Sequence, residues 1–197
     1  MLKINNKGSL IVISSPSGAG KTTITKKLVS EKKNIVLSVS VTTRKPRVNE
    51  VNKKDYIFVS KNKFKELIKK KSFLEYAKVF DNYYGTLKKN ILNNIKYNKT
   101  TILDIDWQGA RQIKKKLTKY TSTIFILPPS IKELKKRLQK RESNYQFIKK
   151  RMSKAKKEIM HWKEYDYVVV NDDLKNCLNT IRLIIKSLNN KPINLKL

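Results

Sequence analysis

Apolar residues along the chain fall into two textures. Short apolar runs occur at Leu10-Ile11-Val12-Ile13, Ile35-Val36-Leu37-Ser38-Val39-Ser40-Val41, Thr101-Ile102-Leu103-Asp104-Ile105-Asp106, Thr123-Ile124-Phe125-Ile126-Leu127 and Tyr167-Val168-Val169-Val170-Asn171. All five read as strands, the third closed by carboxylates, and the first and the last two, continuous in apolar residues, as buried ones. Between them the apolar positions recur at helical spacing. Lys21 to Lys33 sets Ile24, Leu28 and Val29 on one face, and Leu174 to Leu188 turns Leu178, Ile181, Ile184 and Ile185 inward. Further helices are expected from about Leu87 to Tyr97 and from Gly109 to Leu117. Strands alternating with helices predict an α/β fold, a mainly parallel sheet with helices on both faces.

Two stretches interrupt the alternation. From 39 to 89, Asp55-Tyr56-Ile57-Phe58-Val59 reads as a strand, Lys61 to Lys70 as an amphipathic helix, Phe73 to Phe80 as a strand and Asn82-Tyr83-Tyr84-Gly85-Thr86 as a turn, together a small mixed α/β lobe. From 131 to 157 the chain is helical and dense in Lys and Arg, with few large apolar residues. Such a segment is expected to bury little; it is either a solvated helical hairpin or a mobile lid. The expected division is a core of 1–38, 90–130 and 158–197, a lobe of 39–89 and a lid of 131–157, with a loose tail from Asn190.

Ser14-Ser15-Pro16-Ser17-Gly18-Ala19-Gly20-Lys21-Thr22-Thr23 follows the first strand and opens the first helix. Gly18 and Gly20 let the backbone turn its N–H groups inward on a polyanion, Lys21 adds a point charge, the Thr22 hydroxyl can ligate Mg²⁺, and the helix dipole points the same way. The pattern is G-x-x-x-x-G-K-[ST] with Ser15 at the first Gly. The competing reading is an ordinary glycine-containing turn, but strand and helix stand where a nucleoside triphosphate loop requires them.

Weaker signals gather around it. Pro46 keeps Arg44 and Arg47 in a loop where both guanidinium forks can reach one anion. Tyr83 and Tyr84 are either anion donors or rim. Asp104 and Asp106 close a strand where doubly wound folds present ligand contacts; either can hold Mg²⁺ through water, and either can be only a helix cap. Lone His161 is expected in packing or at the surface.

Bulk composition changes this picture little. The chain of 197 residues is one folding unit in outline, its apolar runs are far shorter than a membrane span, and its beginning lacks a signal-peptide core, so a cytoplasmic location is expected. One cysteine, Cys177, excludes an internal disulfide, and there is no zinc-type cluster. The net charge of +31 is spread over every segment of a chain rich in Lys, Asn, Ile and Tyr. That pattern fits either genome composition or a selected polyanion site, and nonspecific nucleic-acid binding at low salt is expected in both cases. No pattern sets an oligomeric state.

Taken together, Ser17 to Thr22, Ser40-Val41-Thr42-Thr43-Arg44 with Pro46-Arg47, Asp55-Tyr56, Asn82 to Thr86 and Leu103-Asp104-Ile105-Asp106 resemble the guanylate kinase family, over about Ser9 to Leu188 and in the family's order. The resemblance implies a P-loop kinase with an inserted GMP-binding lobe and a helical lid, transferring the γ-phosphoryl group of ATP to GMP or dGMP with Mg²⁺. It implies that ATP is held by Ser15, Pro16, Ser17, Gly18, Ala19, Gly20, Lys21, Thr22, Thr23, Arg137, Arg141 and Asn171. GMP falls to Ser40, Arg44, Arg47, Tyr56, Glu75, Tyr84, Thr86 and Asp104, and catalysis to Lys21, Arg44, Arg137 and Arg151. Guanine offers donors at N1 and N2 that one carboxylate can accept, which suits Glu75. A kinase of a sugar phosphate would keep the loop but lose the Ser40, Glu75 and Thr86 set; a noncatalytic scaffold would have lost Lys21.

Overall fold

The structure, a computed structural model, describes residues 3–4, 8–140, 144–188 and 195–196. Strand β1 (Lys3–Ile4) precedes β2 (Leu10–Ser14), all five residues of which are buried. The phosphate loop leads into α1 (Lys21–Glu31), then β3 (Ile35–Leu37). The run expected as one strand from Ile35 to Val41 is two: β4 (Val41–Thr42) belongs to a different sheet. Both sheets recruit this apolar run, and residues 38–40 carry the chain across, Ser38 N–H bonding Ile102 O at 2.9 Å and Ser40 O accepting from Ile57 N–H at 2.9 Å.

There follow β5 (Ile57–Phe58), α2 (Lys61–Lys69), β6 (Phe73–Val79) and β7 (Asn82–Leu87). Asn82 to Thr86 is therefore strand, not turn. Its Asn and Gly suggest a turn in isolation, but pairing with β6 from Asn82–Val79 to Thr86–Glu75 overrides local preference. The four strands lie in the order β5-β4-β7-β6, and Phe64 of α2 stacks on Phe73 and Tyr83 at 4.5 and 5.4 Å. After α3 (Lys88–Lys96) come β8 (Thr100–Asp104), α4 (Trp107–Leu117) and β9 (Thr121–Leu127). Then α5 (Ile131–Gln139), α6 (Tyr145–Ile159), β10 (Tyr167–Val170), α7 (Leu174–Leu188) and β11 (Leu195–Lys196) complete the chain.

The main sheet is parallel throughout, in the order β10-β9-β2-β8-β3. Alternation along β2 serves two cores at once. Ile11 and Ile13 face α1 and α7 with Ile24, Leu28, Leu178 and Ile181; Leu10 and Val12 face α3 and α4 with Ile91, Ala110 and Ile113. The run at 167–171 is an edge strand, with Val168 and Val170 exposed, rather than a buried one. The segment from 131 to 157 buries more than its composition suggests. Leu134 and Leu138, one turn apart, close on Ile148, Met152 and Ala155 to form a small core of their own. Of the expected loose tail, Leu195–Lys196 pairs antiparallel with Lys3–Ile4, and the rest lies outside the described residues.

Candidate active site

The loop after β2 is set by close packing. Gly18 and Gly20 both have φ 96°. At Gly20 a Cβ would stand 2.5 Å from Asn171 Nδ2, which itself donates to Ala19 O at 2.7 Å. Asn171, at the end of β10, is thereby fastened to the loop, and its own N–H bonds Leu127 O at 2.8 Å. Ser15 is not among the residues of positive φ, so the backbone there does not need the glycine of the general pattern; its hydroxyl bonds Pro16 O at 3.1 Å. Pro16 and Ala19 are buried, while Thr22 and Thr23 at the start of α1 are exposed.

Parallel pairing of β2 and β8 puts Asp104 beside Ile13, and from there its carboxylate forms an ion pair with Lys21. Each side chain is about one-fifth exposed. Asp106 is spent differently. It caps α4, accepting from Gln108 N–H and Gly109 N–H at 3.1 Å each and from Gln108 Nε2 at 2.9 Å.

Across the cleft, Glu75 on β6 and Thr86 on β7 meet because the hairpin register pairs them. The Thr86 hydroxyl donates to Glu75 Oε1 at 2.5 Å, and Glu75, Thr86 and Ser40 are all buried. Gly109, in the first turn of α4, makes room: a Cβ there would stand 2.5 Å from Glu75 Oε2. Burial pushes the Glu75 carboxyl up to about 7, the Thr86 bond opposing this and the Asp106 charge adding to it.

Arg44 and Arg47 do share one carboxylate, that of Glu50. Arg44 Nη2 lies 2.8 and 2.9 Å from the two Glu50 oxygens, and Arg47 N–H donates to Oε2 at 2.9 Å. The Arg44 guanidinium also stands over the Tyr56 ring at 5.3 Å. Tyr84 touches Tyr56 edge-on at 6.1 Å. Burial, followed by the Asp104 charge, raises the Tyr56 phenol above its usual range, so it stays a donor.

Of the three arginines expected from the helical segment, one reaches the phosphate loop and one the Asn171 fastened to it. Arg151 on α6 donates to Ser17 Oγ at 3.1 Å, and Arg137 on α5 to Asn171 O at 3.2 Å while holding Glu133 at 3.1 Å. Arg141 lies outside the described residues.

The guanylate kinase family model matches residues 7–188. The chain belongs to the guanylate kinase family. The guanylate kinase of Wolbachia pipientis wMel is 47% identical over 197 residues, 97% of this chain and 98% of that one. That of Rickettsia prowazekii (strain Madrid E) is 50% identical over 185 residues, 93% of each. The crystal structure of guanylate kinase from Anaplasma phagocytophilum superposes with a TM-score of 0.82 at 36% identity, covering 98% of this chain and 92% of that one. The P-loop kinase architecture is therefore that of a guanylate kinase.

Sequence reasoning missed two carboxylates of this site. Glu50 was hidden in a turn-rich patch; its spacing of three from Arg47 was the available signal. Glu158 of α6 is buried, with Lys154 Nζ 3.6 Å from its Oε1, and burial raises its carboxyl above the usual range. Its signal was a lone acid in a helix otherwise full of lysine. His161 stacks on Trp107 at 3.8 Å and bonds Glu164 at 2.7 Å, a packing role as expected.

Proposed function

We infer that the protein transfers the γ-phosphoryl group of ATP to GMP, giving ADP and GDP. The carrying observation is the buried Glu75–Thr86 pair at the start of α4, together with the Lys21–Asp104 pair where the phosphate loop enters α1. An ionised Glu75 accepts the N1 and N2 donors of guanine and repels the N1 acceptor of adenine; dGMP offers the same base edge. In this reading Ser40 and Thr86 present hydroxyls to the base, and Arg44, Arg47, Tyr56 and Tyr84 hold the acceptor phosphate. Asn171 lies beside the adenine, and residues 15–23 enclose the donor phosphates.

The acceptor phosphate is already anionic at neutral pH, so no general base is required. The residues instead bring two polyanions together and neutralise the charge that builds between them. Lys21 turns from Asp104 to the β- and γ-phosphates, and Arg44 leaves Glu50 for the acceptor. Arg137 and Arg151 approach the transferring group from the lid, and the family resemblance assigns Arg141 to ATP as well.

Mg²⁺ fits this residue set. Among the described residues no cluster of three or more His, Cys, Asp or Glu is placed to hold a metal. Mg²⁺ ordinarily binds through one or two protein groups together with substrate phosphates and water, which the exposed Thr22 hydroxyl and the Asp104 carboxylate supply. When bound, the ion neutralises phosphate charge. Asp106, committed to the α4 cap, is the weaker of the two carboxylate candidates.

The core, lobe and lid divide at 1–38, 90–130 and 158–197; 39–89; and 131–157. Among the described residues no helix is long and apolar enough to cross a membrane, and a cytoplasmic role in purine nucleotide recycling suits the substrates. Dispersed lysines lead to weak, salt-sensitive nucleic-acid binding. An ADP-release assay with ATP and Mg²⁺ against GMP, dGMP, AMP, UMP, CMP and ribose 1,5-bisphosphate tests the reading. Strong preference for GMP and dGMP is expected, and equal or absent turnover with every acceptor would overturn it.

A further inference from the structure

Phe80 occupies the first position of the two-residue turn joining β6 to β7, between paired Val79 and Asn82. Its φ is 55°, a left-handed conformation ordinarily given to glycine at that point of a hairpin. The ring is 38% exposed. Neither backbone preference nor burial therefore explains a phenylalanine, and a strained residue of this kind points to a task elsewhere.

The ring faces α6. Lys154 Nζ lies 4.2 Å and Lys150 Nζ 5.6 Å from its centroid, and the neighbouring Asp81 carboxylate is 3.7 Å from Lys150 Nζ. Lys150, Lys154 and Glu158 follow at intervals of four, one stripe along the helix. Lys154 stands 3.6 Å from the Oε1 of buried Glu158. Arg151, one residue on from Lys150, donates to the Ser17 hydroxyl of the phosphate loop at 3.1 Å. The same turns of α6 are thus held by the tip of the acceptor lobe, through Lys150 and Lys154, and by the loop for the donor phosphates, through Arg151.

We propose that the Phe80–Asp81 turn is a positioning element that seats α6, so that the placement of the acceptor lobe sets Arg151 and Ser17 for ATP. The proposal rests on the ATP:GMP kinase reading. Because one helix answers to both sites, GMP and ATP each tighten binding of the other by the same factor.

The test measures the affinity of a nonhydrolysable ATP analogue with and without GMP, together with kcat and the melting temperature. Phe80→Gly removes the ring and relaxes the turn. The melting temperature should hold or rise and each binary affinity should stay within about twofold, while the GMP-induced tightening and kcat should each fall roughly three- to tenfold. Phe80→Tyr, which keeps the aromatic face, should restore both. Lys154→Ala should lower the coupling less in the Phe80→Gly background than in wild type, because only its contact with Glu158 is then left to lose. A Phe80→Gly enzyme with wild-type coupling overturns the proposal, as does a wild-type enzyme whose two nucleotides bind independently. A wild-type enzyme that turns over no GMP overturns the kinase reading instead.

Discussion

Replacing Glu75 by glutamine should trade function for stability, in amounts set by where the carboxylate sits. Burial raises its pKa from 4.5 to about 7. In the unfolded chain the proton leaves near 4.5, in the folded chain near 7, so the native state binds more protons between these values. Stability contributed at this position therefore falls as pH rises through that window and stays low above it. At about 1.4 kcal/mol per pH unit the penalty reaches on the order of 3 kcal/mol by pH 8. Glutamine carries no such penalty and can still accept from Thr86. Glu75→Gln should therefore melt above wild type at pH 8, by up to roughly 10 °C for a chain of this size, and match it near pH 4.5.

Catalysis should move the other way. The amide oxygen accepts one guanine donor, but the amide nitrogen meets the second donor with another. Losing a charge-assisted bond and gaining this conflict costs about 2–3 kcal/mol, roughly 30- to 150-fold in kcat/KM for GMP. KM for ATP should change by less than about twofold, because Glu75 lies across the cleft from the phosphate loop. The wild-type KM for GMP should also fall between pH 6 and 8 as Glu75 ionises; the variant should keep only the part due to the nucleotide's own phosphate. Steady-state kinetics over that range and melting curves at pH 4.5 and 8 decide the matter. Equal losses for GMP and ATP, or a variant less stable than wild type at pH 8, would refute the assignment of Glu75.

Other substitutions probe the rest of the site. Lys21→Ala should lower kcat by roughly 10²- to 10³-fold with an unchanged far-UV spectrum, since the Asp104 it leaves behind is partly solvated; turnover within tenfold of wild type would remove Lys21 from the mechanism. Gly109→Ala places a Cβ 2.5 Å from Glu75 Oε2 and 3.2 Å from Ile105 Cδ1, and should raise KM for GMP at least about tenfold while costing about 1–3 kcal/mol of stability. Unchanged GMP kinetics there would mean that the carboxylate has room to retreat. Glu50→Gln weakens the grip on Arg44 and Arg47 and should raise KM for GMP roughly five- to tenfold with kcat nearly constant; an unaltered KM would show that Arg44 reaches its place unaided.

The parts of the molecule legible in the sequence are those fixed by local pattern. Leu10 to Ile13 announced a central strand because both faces had to be apolar, and Gly18 to Thr22 announced an anion loop because few other residues fit such a turn. What was illegible depended on pairing. Asn82 to Thr86 looks like a turn until β6 lies beside it, and Ile35 to Val41 looks like one strand until two sheets divide it. The helical segment looked almost coreless because Leu134, Leu138, Ile148 and Ala155 are few and far apart in sequence, though they meet in space. Glu50 and Glu158 had no motif around them, and only the folded geometry shows which cations they hold.

Those carboxylates also bear on the unusual charge. The chain has 46 basic residues and 15 acidic ones, so an acid placed beside the site is a scarce resource. Glu50, Glu75, Asp104, Asp106 and Glu158 nevertheless gather there. Cations meant for phosphates repel one another when the site is empty, and a carboxylate beside each one holds it in place until a stronger anion arrives. Asp104 does this for Lys21, Glu50 for Arg44 and Glu158 for Lys154. A dispersed lysine surface attracts any polyanion through a field that salt screens. Discrimination has to come from short contacts that differ between ligands. In the proposed reading those contacts run through the few acids: Glu75 would accept guanine donors, and Asp104 and Glu50 would yield their cations only to groups that match phosphate geometry. Neutralising surface lysines should therefore slow nucleotide capture at low salt without changing the order of preference among acceptors, whereas the loss of one site carboxylate should change that order at any salt.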